Sequence, residues 1–286
     1  MSNKVYALVS IYHPNAAVIA NVRSISEQVD KIFLCDNSGT SNAELFKEVS
    51  NSEYVFNGGN LGIPTAFNRI LKNNRFSPED FIIFFDQDSC VKQNHIEKLI
   101  QEYEALEQKG VKVGCLGPEF YNVSNGTTEK PTLRTDISDQ SYIVNNIITS
   151  SMLCKYNNLA AVGFWNEKLF LDFCDWDICW RLKKAGYKIC MTSTAVLQHK
   201  VGIGDKKVGF RKVRVSVPIR EYYQVRDALF LLHENYVPLK MRLVLLKFAY
   251  VLPLQHILLL DDKESRKTYI RKGFSDYKKR IYGEIN

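Results

Sequence analysis

Two aspartates two positions apart, Asp86 and Asp88, close the run Asp80-Phe81-Ile82-Ile83-Phe84-Phe85 and give the chain its clearest chemical signal. Alternate residues on an extended backbone point the same way, so both carboxylates can aim at one point just beyond a strand. A hard divalent cation can sit there between carboxylate and phosphate oxygens. The apolar, β-branched and aromatic residues before the pair read as a strand buried on both faces, and open α/β sheets bind ligands beyond the carboxyl ends of such strands. Alone, the pair also reads as a solvated strand-end turn, since Asp and Ser are common there. A second acidic group, Asp172, Asp175 and Asp177, lies among Phe173, Trp176 and Trp180, ahead of a helix read over Ile178–Ala185 and stopped at Gly186. Aspartates cap helices and suit their dipole. Three of them among aromatics exceed what a cap needs, and burial raises a carboxylate's pKa toward that of a general base.

The elements that must position these residues alternate. Val5–Tyr12 reads as a strand closed by His13-Pro14-Asn15, and Ala16–Gln28 as a helix with apolar Val18, Ile19, Val22 and Ile25. A strand over Lys31–Cys35 ends in Asp36-Asn37-Ser38-Gly39, a short helix covers Ala43–Val49, and a strand covers Glu53–Phe56. The loop Asn57-Gly58-Gly59-Asn60-Leu61-Gly62 then leads into a helix over Ile63–Asn73, with Pro64 in its first turn. This alternation predicts a parallel, doubly wound sheet with Ser10, Tyr12, Asp36, Asp86 and Asp88 along one edge. The glycine loop reads either as a phosphate cradle or as a turn. It matches neither G-x-G-x-x-G nor the P-loop, because no lysine follows the glycines. Further on, the pattern predicts a helix over His95–Gln108, a strand over Val111–Gly117, a polar, aperiodic loop region over Phe120–Ser141 and an apolar run over Tyr142–Leu153 that carries Thr149-Ser150-Ser151.

At 286 residues with 45% apolar content, the chain can bury a sizeable core. Its net charge is +7, and Lys and Arg thicken after about Lys183, which suggests an anionic partner. They are not interleaved with any nucleic-acid reading motif, so no nucleic-acid partner is expected. The seven cysteines, Cys35, Cys90, Cys115, Cys154, Cys174, Cys179 and Cys190, are odd in number, scattered and free of C-x-x-C pairs, as in reduced, mostly buried thiols of a cytoplasmic protein. No signal peptide is read at the N-terminus, and no uninterrupted apolar run has transmembrane length. The tail from Pro238 to Leu260 mixes leucines with Lys240, Arg242 and Lys247 and is interrupted by Pro253. It reads either as core-packing helices or as a segment docking on an anionic membrane, aided by Arg266–Arg280.

In order and spacing, these residues resemble glycosyltransferase family 2, inverting enzymes of the GT-A fold, and within it the bacterial rhamnosyltransferase-like group. The resemblance rests on the opening strand to Ser10 and Tyr12, Asp36-Asn37-Ser38, Asn60-Leu61-Gly62 leading to Asn68, Asp86-Gln87-Asp88, Val162-Gly163 through Phe170, and Asp172-x-x-Asp175-x-Asp177-x-x-x-Arg181. It covers residues 4 to about 200 and continues more weakly through Arg220-Glu221-Tyr222-Tyr223-x-x-Arg226. It implies a GT-A catalytic domain over 1–205, with a donor half over about 1–90 and an acceptor half over about 91–205, and a basic, mainly helical extension over 206–286. By the same resemblance, Asp36 binds the donor's nucleobase, while Ser10, Tyr12, Asn60, Gly62, Asn68, Asp86 and Gln87 line the donor site. Asp86 and Asp88 hold Mg²⁺ or Mn²⁺ on the diphosphate, and Asp175 is the base. Asp172, Trp176, Asp177, Arg220 and Arg226 are acceptor or phosphate candidates. His199 is either a further metal ligand or a strand-end histidine bonded to backbone. Many members carry an acid before the catalytic aspartate where this chain has Cys174; the rhamnosyltransferase-like group often has an apolar residue there and an aspartate near Asp172.

The implied reaction moves a sugar, rhamnose from dTDP-rhamnose, onto a saccharide or a polyprenyl-diphosphate-linked acceptor in surface polysaccharide (O-antigen or capsule) synthesis. The protein would work in the cytoplasm or peripherally on the inner face of the cell membrane. Other donors in the family, a UDP-hexose or UDP-galactofuranose, are the alternatives. An aspartyl-phosphate phosphatase also opens its site with D-x-D, but on its first strand, whereas three strand–helix steps precede the pair here. A non-catalytic nucleotide-sugar-binding module would have no use for Asp175.

Overall fold

β1 (Val5–Ile11), α1 (Ala16–Ser26), β2 (Lys31–Asp36), α2 (Ala43–Phe46), β3 (Ser52–Phe56), α3 (Gly62–Asn73), β4 (Phe81–Asp86) and α4 (His95–Gln108) follow the predicted alternation within a residue or two, save that α2 ends three residues early. The computed structural model describes residues 3–122, 127–129, 131, 133–199, 205–208, 211–214 and 216–285. Two units emerge: Met1–Asn166 with Cys174–His199, and Glu167–Phe173 with Lys200–Asn286.

In the first unit β1, β2, β3 and β4 pair in parallel, in the order β3-β2-β1-β4. β4 is buried on both faces, as its composition predicts. Phe81, Ile83 and Phe85 join a cluster with Val22, Leu99 and Tyr103. Phe84 points the other way, its ring centroid 5.0 Å from those of both Phe67 and Trp165. The sheet continues through β5 (Val113–Asn122), β6 (Thr127–Glu129), β7 (Thr135–Asp136), β8 (Ser141–Ile143) and β9 (Met152–Lys155). The unit ends with α5 (Tyr156–Ala161), α6 (Cys174–Lys184) and β10 (Lys188–His199).

The mostly parallel sheet expected is parallel through β1–β4 and turns mixed beyond them, which is a first refinement. β9 lies antiparallel between β4 and β5, and β8 runs antiparallel on β10. Ser151, at a φ of 65°, turns the chain into β9, and its N–H reaches Phe84 O at 2.7 Å. The second concerns the loop expected over Phe120–Ser141, whose described part contains β6 and β7 and extends β5. A buried bond from Tyr142 OH to Glu119 at 2.9 Å and a part-buried one from Ser141 Oγ to Glu102 at 2.7 Å fasten the end of this region without any periodic pattern.

The second unit holds a β11 (Asp205–Val208) and β12 (Arg211–Arg214) hairpin, α7 (Ile219–Leu232) and α8 (Leu239–Leu246). A π turn (Lys247–Val251) leads into α9 (Leu252–Leu259), and α10 (Lys263–Lys279) follows. Residues 167–173 belong with it although the sequence placed them in 1–205. Phe170 stacks on Tyr223 at 4.4 Å, and its N–H bonds Asp227 at 3.2 Å. Pro253 does not break the tail as expected. The π turn ends just before it, with the Leu252 N–H bonded to Lys247 O, and the helix runs on as 21 residues, Leu239–Leu259, long and apolar enough to cross a membrane by length and composition.

Candidate active site at the carboxyl edge of the sheet

The strand order reverses at β1, with β2 and β3 on one side and β4 on the other, which is where open α/β sheets bind ligands. Ser10 pairs with Asp86 across this point. Asp86 is the last, half-buried residue of β4, and Asp88 is exposed in the following turn, closed by Ser89 N–H to Asp86 O at 3.0 Å. Burial, and then the neighbouring Asp88 charge, push Asp86 up to about 6, against the opposing effect of a bond with Ser150. Two like charges forced together at the carboxyl edge of the sheet suit a divalent cation, which needs only one or two carboxylates when substrate oxygens complete its shell. The pair therefore fits Mg²⁺ or Mn²⁺. No group of three or more His, Cys, Asp or Glu that could hold a metal occurs among the described residues, and the side chain of His199 lies outside them.

The remaining donor-side candidates divide by exposure. Tyr12 is 47% exposed and its ring meets His13 edge-on at 4.3 Å, leaving a free aromatic surface at the switch point. Gln87 instead spends its side chain on scaffold: its Oε1 accepts the Tyr12 N–H at 2.9 Å and its Nε2 donates to Tyr12 O at 3.0 Å. Asp36 is fully buried and accepts from Ser38 N–H at 2.8 Å, Asn42 Nδ2 at 2.9 Å and Tyr54 OH. Burial pulls its carboxyl upward, but bonds from Ser38, Tyr54 and Asn42 outweigh that and hold it below the usual range. Asn60 Oδ1 accepts the Gly62 N–H at 3.1 Å, and Gly62 enters α3 at a φ of 77° that favours glycine. The loop is tied down further by Asn37, whose Nδ2 donates to Gly62 O at 3.3 Å. Asn68, buried at 1% exposure, clamps Trp165 by accepting its N–H at 3.0 Å and donating to its carbonyl at 2.8 Å.

Among the acceptor-side candidates, Phe173 adopts a φ of 65° just before α6, so Asp175 falls in the first helical turn, half-buried, with its Oδ1 on the Trp176 N–H at 2.8 Å. Trp176, also half-buried, has its ring 5.9 Å from that of Trp180. Asp177 is fully buried, accepts Arg181 Nε at 2.7 Å and Asn166 Nδ2 at 3.1 Å, and so forms a strut. Arg181 extends that strut to Val162 O and Phe164 O, both at 2.6 Å. In the second unit, Asp172 and Arg220 form a bidentate pair with one another, the shortest contact 2.6 Å. Arg226 has no exposure, pairs with Asp227 at 2.7 Å and donates to Tyr222 OH at 3.1 Å and Gly283 O at 2.7 Å, within the core of the second unit.

Sequence reasoning gave no role to the hydroxyls behind the acidic pair. Ser150 Oγ accepts the Asp86 N–H at 3.4 Å and also meets Ser89 Oγ, while Ser151 Oγ meets His95 Nε2 at 2.7 Å. Their signal was the Thr149-Ser150-Ser151 run inside apolar sequence. A cleft of about 560 Å³ lined by Lys92, His95, Lys98, Tyr121 and Thr194–Val196 contains none of the expected site residues.

A family model described as glycosyl transferase family 2 matches residues 7–156. The chain is 23% identical to dTDP-rhamnosyl transferase RfbF of Shigella flexneri, over 95% of this chain and 93% of that protein. Two solved structures are similar in fold. One is GalNAc-T7 with UDP, GalNAc and Mn²⁺, at a TM-score of 0.55 and 12% identity over 97% of this chain and 57% of that one. The other is S. aureus TarS, at a TM-score of 0.58 and 14% identity over 97% of this chain and 49% of that one. This chain thus spans about half the length of each of these two.

Proposed function

The chain belongs to glycosyl transferase family 2, and we propose that it transfers rhamnose from dTDP-rhamnose, with inversion and with help from Mg²⁺ or Mn²⁺, to a saccharide acceptor. The observation that carries this reading is the acidic pair Asp86 and Asp88 at the strand-order reversal, beside an exposed Tyr12, in a GT-A fold whose curated relative is a dTDP-rhamnosyl transferase.

In this reading Tyr12 offers its ring to the nucleobase. Asp36 acts from behind by fixing Ser38, Asn42 and Tyr54, and Gln87 holds the end of β1 against the turn that carries Asp88. Asp86 and Asp88 hold the cation, which supplies charge neutralisation for the departing diphosphate. Asp175 takes the proton of the acceptor hydroxyl as its oxygen attacks the anomeric carbon from the side opposite the leaving group. No side chain needs to act as a nucleophile. The acceptor is proposed to ride on a polyprenyl diphosphate at the anionic inner face of the cell membrane, in O-antigen or capsule synthesis. Seven free cysteines, six of them buried, support a reducing, cytoplasmic setting.

Purified protein incubated with dTDP-rhamnose, UDP-hexoses and UDP-galactofuranose should release nucleotide diphosphate slowly, fastest from dTDP-rhamnose and only with Mg²⁺ or Mn²⁺. Faster release from a UDP-sugar overturns the donor assignment. Undiminished release in excess chelator overturns the metal.

A further inference from the structure

The helix Leu239–Leu259 is apolar on the side that faces water. Leu239, Leu243, Leu246, Tyr250, Leu254 and Leu258 are 41–80% exposed. The opposite side is buried and includes Leu245, Ala249, Pro253 and His256. An unbroken α-helix would not keep the exposed residues in line. From 239 to 258 is one residue more than five turns at 3.6 residues each, which would swing Leu258 by about 100° from Leu239. The π turn at Lys247–Val251 takes up that extra residue, so the stripe runs straight. A straight apolar stripe of this length on an outer surface calls for a covering partner.

We propose that this stripe docks the second unit on an anionic lipid bilayer, lying flat in the headgroup region and not spanning it. Charge selects the occupant. Lys240 and Lys247 flank the leucines, and residues 238–280 carry eleven Lys and Arg against four Asp and Glu. Lys263, Arg271, Lys278, Lys279 and Arg280 are exposed on and just after α10. Leucines with a basic surround are the composition of an interfacial helix, and each Lys or Arg near an acidic surface adds to the attraction. The buried side excludes spanning. His256 Nδ1 bonds Glu221 Oε1 at 2.7 Å, and Arg266 NH1 reaches the same oxygen at 2.7 Å, so the helix is pinned to α7 and α10 by a buried ionic cluster. The inference extends the lipid-linked acceptor proposed above but stands on the second unit's own surface.

Flotation of the full-length protein with phosphatidylcholine vesicles, with and without phosphatidylglycerol, tests it. Binding should require phosphatidylglycerol and weaken with salt. Leu243→Glu with Leu254→Glu should cut the bound fraction at least about tenfold, as expected for losing two leucines' burial. Both positions are exposed, so the variant should melt like the wild type and keep the same nucleotide diphosphate release. Equal binding with and without phosphatidylglycerol, or equal binding by the variant, overturns the proposal. So does retention in vesicles after an alkaline carbonate wash, which means spanning, or a solution dimer that the double variant dissolves, which means the stripe covers a second copy. Loss of sugar transfer with lipid binding intact would instead count against the proposed reaction alone.

Discussion

Asp175 is a carboxylate in the first turn of α6, where a base and a cap look alike, and one substitution separates them. Asp175→Asn keeps an oxygen for the Trp176 N–H, so α6 should still start at Cys174. It cannot take a proton. Transfer should fall by roughly a hundred- to ten-thousandfold while dTDP-rhamnose affinity, measured by calorimetry, stays unchanged. Near wild-type turnover would leave Asp175 a cap. His95 makes a different prediction, about stability. Burial, and then Lys98, lower its pKa from 6.5 to about 4, so the unfolded chain binds the proton more readily in that window. Stability should hold above pH 6.5 and drain as pH falls toward 4, by about 2 kcal/mol between neutral pH and pH 5. His95→Gln removes that proton uptake, and its urea-melting profile should flatten over the same range; an unchanged slope would assign the acid sensitivity elsewhere. By their places at a strand end, Asp86, Asp88 and Tyr12 were legible in the sequence from residue types and spacing. Asn68 and Gln87 were not, because their partners, Trp165 and Tyr12, are 97 and 75 residues away. A polar side chain's job depends on which distant backbone it meets, and spacing does not encode that.

At the scale of elements, α7 and α10 approach tightly at Gly273. A Cβ there would sit 2.9 Å from Tyr222 O and 3.3 Å from Val225 Cβ. Alanine gains up to about 1 kcal/mol of helix propensity, but a backbone oxygen cannot step aside, and overpacking costs about 1–3 kcal/mol. Gly273→Ala should therefore lower the melting temperature of the second unit, as followed by calorimetry, and a rise would mean the helices separate freely. Long periodic elements such as α1, α3 and α4 could be read directly. β9 could not: it has four residues, and its place between β4 and β5 comes from the turn at Ser151. Pro253 misled for a related reason, since a proline signals a break only when the residues before it cannot shift their hydrogen bonds. Here the π turn shifts them.

At the scale of the whole chain, the cysteines give the most accessible measurement. All seven are free and only Cys90 is exposed. Burial raises the thiols of Cys35, Cys115, Cys179 and Cys190, which slows their reaction further. Ellman's reagent should titrate one thiol promptly in the native protein and seven in guanidinium; two or more fast native thiols would contradict the burial. The scattered, odd count made reduced thiols legible in the sequence, but which one meets solvent depended on the strand ending four residues before Cys90. That position is two residues beyond Asp88. The wild-type chain therefore carries a ready-made handle for an environment-sensitive dye next to the acidic pair. A fluorophore placed there by simple alkylation would test in real time whether the proposed cation and nucleotide arrive at that edge, with no cysteine-free background to engineer.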